Sequence, residues 1–204
     1  MKLLLTTIAA VVLVGCGPSV DIHKAAREGN IETVKRAIAD GVDVNTVDGD
    51  GTTALHWAAH HDDLESGREL LNAGADPTLA NQFGAQPIAL ASENGSAKFI
   101  QLLLDAGANP NVASPEGETV LMTATRTGGA PAVRLLLRHK ANPDIAEGWR
   151  GQTALMWAAA ENNLEVAHAL TSAGADIHAR STGGFTPLMF AVRAGHLEMT
   201  QLLV

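Results

Sequence analysis

Five glycines mark the chain at nearly constant intervals: Gly51, Gly84, Gly117, Gly151 and Gly184 stand 33, 33, 34 and 33 residues apart. A unit of that length is too short to enclose a core of its own. Each copy must be covered by its neighbours, and the arrangement that achieves this is a solenoid stacked in one dimension. A related block follows each glycine: TALHWAA (53–59), QPIALAS (86–92), TVLMTAT (119–125), TALMWAA (153–159) and TPLMFAV (186–192). Further along the units come LLNAGAD (70–76), LLLDAGAN (102–109), LLLRHKAN (135–142) and ALTSAGAD (169–176).

The blocks spell out a pair of short helices. Thr53, Thr119, Thr153 and Thr186 can cap the first helix by accepting a bond from an orphan backbone N–H, and Pro87 and Pro187 suit the first turn, where no N–H is needed. A helix of two or three turns is marginal alone, so Ala58, Ala59, Ala91, Ala158 and Ala159 are expected to form a narrow face that neighbours approach closely. The second helix turns Leu70, Leu71, Leu102, Leu103, Leu135, Leu136, Leu202 and Leu203 inward and ends at Gly74, Gly107 or Gly174, which accept a left-handed C-cap. In the fourth unit Lys140 takes that place, which predicts local strain.

These blocks resemble the ankyrin signature T-P-L-H-x-A and the Leu-Leu and Gly-Ala-Asp end of the same unit. The resemblance implies an all-α ankyrin-repeat solenoid of helix-turn-helix units joined by β-hairpin loops, preceded by an N-terminal signal helix. It divides the chain into complete repeats at 51–83, 84–116, 117–150 and 151–183 and a partial repeat at 184–204. Residues 20–50 read as a degenerate capping repeat, with Ala25-Ala26 and Gly29-Asn30 in its first-helix region and Gly41 to Asn45 as its exit. The chain stops at Val204 inside a second helix, which reads either as a fragment or as a truncated last repeat with an uncovered apolar edge.

Residues 1–15 read as an export signal: Lys2 supplies the positive start, Leu3 to Val14 an apolar run too short to span a bilayer comfortably, and Gly15 a small residue before Cys16. Leu13-Val14-Gly15-Cys16 is similar to the lipobox of bacterial lipoproteins. That implies diacylglycerol on Cys16, cleavage before it, and a short tether over 16–19; an ordinary signal peptide, or a buried helix with a free cysteine, is the other reading. Acyl chains contribute about 0.8 kcal/mol per buried methylene, enough for two or three to hold the protein at a membrane facing the periplasm. Gly17 follows where an aspartate would suggest inner-membrane retention, so the family pattern points to the outer membrane.

Composition bounds the chemistry. With a net charge of −8 and 3% aromatic residues the chain has neither the basic surface nor the stacking platform of a nucleic-acid binder. Its one cysteine excludes an internal disulfide framework and any zinc site of several thiolates. His60-His61-Asp62-Asp63 invites a metal or acid/base reading, but adjacent helical side chains diverge and rarely converge on one ion, and the run reads instead as a solvated helix end. His56 and His196 fall where the ankyrin pattern itself carries histidine for bonds within and between repeats. No G-x-S-x-G elbow, H-E-x-x-H helix, phosphate loop or dinucleotide fingerprint occurs. The reading therefore calls for no catalytic residue, metal, cofactor or small-molecule substrate.

Function is sought on the surface instead. The family geometry places hairpin tips and exposed ends of the first helices on one concave wall, carrying Asp50, His60, His61, Phe83, Glu93, Asn94, Glu116, Arg126, Trp149, Arg150, Glu161, Arg180 and Phe185 as partner-binding residues. Phe83, Trp149, Arg150 and Phe185 lie in hairpins where the pattern demands no aromatic, and aromatic and Arg side chains dominate interface energetics. Partner contact and a hydrophobic plug beneath the loop both remain open for them. Trp57 and Trp157, at the x of the signature, are assigned to packing between helices. The expectation is a membrane-tethered protein-binding module of the bacterial envelope, a scaffold or inhibitor of a partner protein; the alternative is the recognition part of a longer envelope enzyme.

Overall fold

The structure is a computed structural model that describes residues 20–127 and 129–204. The signal segment and Cys16 lie outside the described residues. Twelve helices follow in pairs: α1 (Ile22–Arg27) and α2 (Ile31–Ala39), α3 (Ala54–His60) and α4 (Leu64–Asn72), α5 (Pro87–Glu93) and α6 (Ala97–Asp105), α7 (Val120–Thr127) and α8 (Gly129–Arg138), α9 (Ala154–Ala160) and α10 (Leu164–Ser172), α11 (Pro187–Ala194) and α12 (Leu197–Leu202). First helices stack on first helices, α1 through α11, and second on second, α2 through α12, giving two layers. No described helix exceeds 10 residues or crosses a repeat border.

The core runs between the layers as one continuous cluster. Ala58, Ala59, Ala91, Ala158 and Ala159 are fully buried, as the close approach of first helices requires. Leu70, Leu103 and Leu136 fill the space between layers, whereas Leu71, Leu102 and Leu202 are only half-buried at its edge. The stack is tight enough at one point to demand glycine: a Cβ on Gly67 in α4 would sit 2.6 Å from Cζ of the buried Phe99 in α6.

Capping follows the sequence with three differences. Thr53, Thr119 and Thr186 accept bonds from the N–H of His56, Met122 and Met189, but Thr153 holds the same position without a side-chain cap bond. Its hydroxyl is buried with no partner. Asn30 does not belong to the first-helix region of the capping repeat; its side chain accepts from Thr33 N–H at 3.0 Å and begins α2. The hairpin connections are tight turns, and the only bridge outside helices among the described residues is Ala113 with Thr119, so no strand forms. At the exits of the second helices Gly74, Gly107 and Gly174 have φ of +91°, +95° and +88°, and Lys140 follows them at +71°.

Candidate functional site

Five turns project from the edge of the first-helix layer as fingers, and across the base of each runs a backbone bond: Asp48 N–H to Thr52 O, Asn81 to Ala85, Ser114 to Glu118, Glu147 to Gln152 and Ser181 to Phe185. The first residue of each finger also holds the tip with its side chain. Asp48 accepts from the N–H of Thr52, Asn81 from Phe83 and Ala85, Ser114 from Glu116 and Ser181 from Phe185. The fourth finger carries the extra residue of the 34-residue spacing, and there the longer Glu147 spans the larger loop. Its buried carboxylate accepts from the N–H of Trp149, Arg150 and Gln152 at 2.6–2.9 Å. Burial by itself raises the pKa of Glu147, but the amides of Gln152, Arg150 and Trp149 outweigh it and hold the group below its ordinary value.

Exposure decides against the plug reading for two of the three finger aromatics. Trp149 is 77% exposed, Phe83 64% and Phe185 39%, so neither Trp149 nor Phe83 plugs the loop beneath it. The Arg150 guanidinium lies 4.5 Å from the centre of the Trp149 ring, a cation–π contact that fixes both. Phe185 leans on Phe190 of α11, ring centres 5.8 Å apart, and the Arg180 side chain donates to Gly184 O at the base of the same finger.

Neighbouring fingers are joined by a backbone ladder. Gln82 N–H donates to Asp50 O at 2.9 Å, Gly148 to Glu116 O at 2.7 Å and Thr182 to Arg150 O at 2.8 Å. Between the second and third fingers the equivalent donor is Pro115, which has no N–H, and no backbone bond joins them among the described residues. The spacing records the difference. A Cβ on Gly51, Gly117 or Gly151 would meet the next finger's backbone nitrogen at 2.9–3.2 Å, whereas one on Gly84 meets only the Pro115 ring, at 3.6 Å. A cleft of about 800 Å³ opens there, lined by Phe83, Val112 and Val120 with Glu93, Glu116 and Arg126.

At the N-terminal end His60 and His61 close α3 with ring centres 5.0 Å apart, and Trp57 stacks on His61 with the Arg27 guanidinium 5.9 Å from the Trp57 ring. Asp62, at φ +55°, then turns the chain into Asp63, the cap of α4. Asn94 is spent on the stack itself, donating its amide to Ala59 O and His60 O. Arg126 is paired with Glu118 at 3.3 Å on the ridge between the cleft and a second groove of about 330 Å³, where Trp157 and Phe190 form an apolar floor among Arg126, Arg150, Arg193 and Glu161. The structure thus brings Arg126, Arg150 and Glu161 together, and separately Phe83, Glu93 and Glu116. Asp50 and His60 stand apart from both.

Sequence reasoning missed Arg27, Phe190 and Arg193. It assigned Trp57 and Trp157 to packing, and both pack half-buried against the core, with Trp157 also lining the second groove. A register signal was available: Trp57, Trp157 and Phe190 share the x position of the signature.

His56 confirms the family expectation and closes the first junction. Its Nδ1 accepts from Thr53 N–H at 3.1 Å, and its Nε2–H reaches Ala85 O of the next finger at 3.0 Å. His196 makes the corresponding reach to Ala160 O at 3.0 Å. Burial lowers the pKa of His56, and a proton on Nδ1 would also displace the Thr53 bond.

The family model described as Ankyrin repeats (3 copies) matches residues 22–114 and 88–181, and the model Ankyrin repeat matches residues 183–204. The crystal structure of the ankyrin repeat protein EF0377 is similar at a TM-score of 0.84 and 27% identity, over 92% of this chain and 98% of that one. No curated protein matches.

Proposed function

The chain belongs to the ankyrin repeat family, and from that premise we propose that it is a protein-binding module held at the bacterial envelope by a lipid on Cys16, acting as a scaffold or inhibitor of a partner in the periplasm. The observation that carries the binding half is the pair of exposed aromatics, Phe83 and Trp149, fixed on hydrogen-bonded fingers. Exposed aromatic surface normally costs solubility, and a rigid backbone under it lowers the entropy lost on docking. The lipobox-like Leu13 to Cys16 after an apolar run supports the anchor, and Gly17 supports the outer membrane.

The wall changes sign along its length, with Asp50, Glu93 and Glu116 towards one end and Arg126, Arg150, Arg180 and Arg193 towards the other. A partner of complementary asymmetry associates faster at low salt. Capture from envelope extract with the wild-type chain and with Phe83→Ala/Trp149→Ala tests the surface; identical captured sets sink it. Radioactive palmitate incorporation compared with Cys16→Ser tests the anchor, and equal labelling refutes it.

A further inference from the structure

The missing rung at Pro115 does more than interrupt the ladder. It leaves Phe83 O without the donor that Asp50 O, Glu116 O and Arg150 O each receive, at the mouth of the cleft between the second and third fingers. Its apolar lining comes from the Phe83 and Pro115 rings and Ala89, with Val112 and Val120 nearly covered. Its charged residues are three carboxylates, Glu93, Glu116 and Glu118, against one guanidinium, Arg126. Arg126 is engaged by Glu118, so among the described residues Glu93 and Glu116 have no cation. Apolar walls with unmatched carboxylates and a free carbonyl suit a long aliphatic stem ending in a cation.

We infer that the cleft between the second and third fingers receives a lysine or arginine side chain of the bound protein, its stem against Phe83, Ala89 and Pro115 and its head among Glu93, Glu116 and the Phe83 carbonyl. This rests on the protein-binding reading above and names the chemistry of one subsite within it. Proline at 115 is the specificity device: with an N–H there, the ladder bond to Phe83 O would close the row and compete with the incoming cation.

The test uses the full chain, solubilised in mild detergent, on an array of random-sequence peptides. Retained peptides are expected to be enriched in Lys or Arg beside an apolar residue. Glu93→Lys and Glu116→Lys, both at exposed positions, should each weaken those peptides on the order of tenfold. Pro115→Ala, which restores the donor and removes the ring from the stem's path without touching any charge, should weaken them at least about fivefold, the weight of one backbone bond to be broken. Thermal melts of the variants confirm that each is folded. Retention without basic enrichment, no retention, or basic peptides held equally by all three variants overturns the inference. If Trp149→Ala abolishes peptide binding while the Glu93 and Glu116 variants are silent, this subsite fails and the protein-binding reading stands. If binding ignores every wall variant, that broader reading fails as well.

Discussion

Replacing Lys140 by glycine should stabilise the protein, although it removes a side chain and adds no contact. The backbone there has φ +71°, where a Cβ crowds the following carbonyl and costs roughly 1–2 kcal/mol. Its bonds are made by the backbone and survive the change: Lys140 N–H donates to Leu137 O at 3.0 Å, and Lys140 O accepts from the Asn111 side chain at 3.4 Å. Glycine also loosens the unfolded chain, an opposing effect of roughly 0.4–1 kcal/mol, so the net gain is about 0.5–1 kcal/mol. For a chain of this length that raises Tm by about 1–4 °C. Calorimetry on Lys140→Gly and Lys140→Ala separates backbone from side chain, since alanine keeps the Cβ and should gain nothing. Gly107→Ala supplies the converse. At φ +95°, with nothing within 4 Å of the added Cβ, it should lose about 1 kcal/mol from backbone strain alone. A Tm for Lys140→Gly at or below wild type, or an equal rise for Lys140→Ala, would refute the reasoning.

Other expectations concern the core and the first junction. Gly67→Ala gains helix propensity, but its Cβ at 2.6 Å from Phe99 overpacks a closed core, and a net loss of about 1–2 kcal/mol is expected in urea unfolding; a net gain would show that Phe99 has room to move. His56 titrates below its ordinary 6.5 in the folded state. Protons therefore bind the unfolded chain first: this contribution is complete above pH 6.5 and is lost as pH falls below it, by at most about 1.4 kcal/mol per pH unit. Urea midpoints between pH 7.5 and about 5 should fall less steeply in His56→Leu than in wild type, whatever that variant's overall loss. Parallel slopes would remove His56 as the source.

The helical layers were legible because one period, a Thr-Pro start and a glycine exit all mark the same borders, and Lys140 was legible as an exception to the same pattern. The ties between repeats were not. Asn45 accepts from Asp76 N–H and donates to Gly74 O, and Asn111 accepts from Asn142 N–H, partners 29 to 31 residues away whose meeting depends on stacking and not on local periodicity. The site was half legible. Phe83, Trp149 and Arg150 stood out as residues the pattern did not require, and exposure bears out their place on the surface. Pro115 stood in plain view, but its meaning appears only when the fingers are aligned in space and the donor that proline lacks can be identified. Trp157 packs as expected, and its second place in the groove was hidden for another reason. A side chain in contact with the core on one side and the groove on the other has no single address in a sequence pattern.

The series arrangement of the repeats has a mechanical side. Tension applied between the two ends passes through every junction in turn, because each helical pair packs on the pairs before and after it. At three finger junctions a backbone bond shares that tension, and at the fourth, beside Pro115, the helical layers carry it with the side-chain ties of Thr127 to Ser92 O and Gln101 to His139. Among the finger junctions a stretched molecule should therefore yield there first, parting into an amino-terminal block and a carboxy-terminal block that each stay folded.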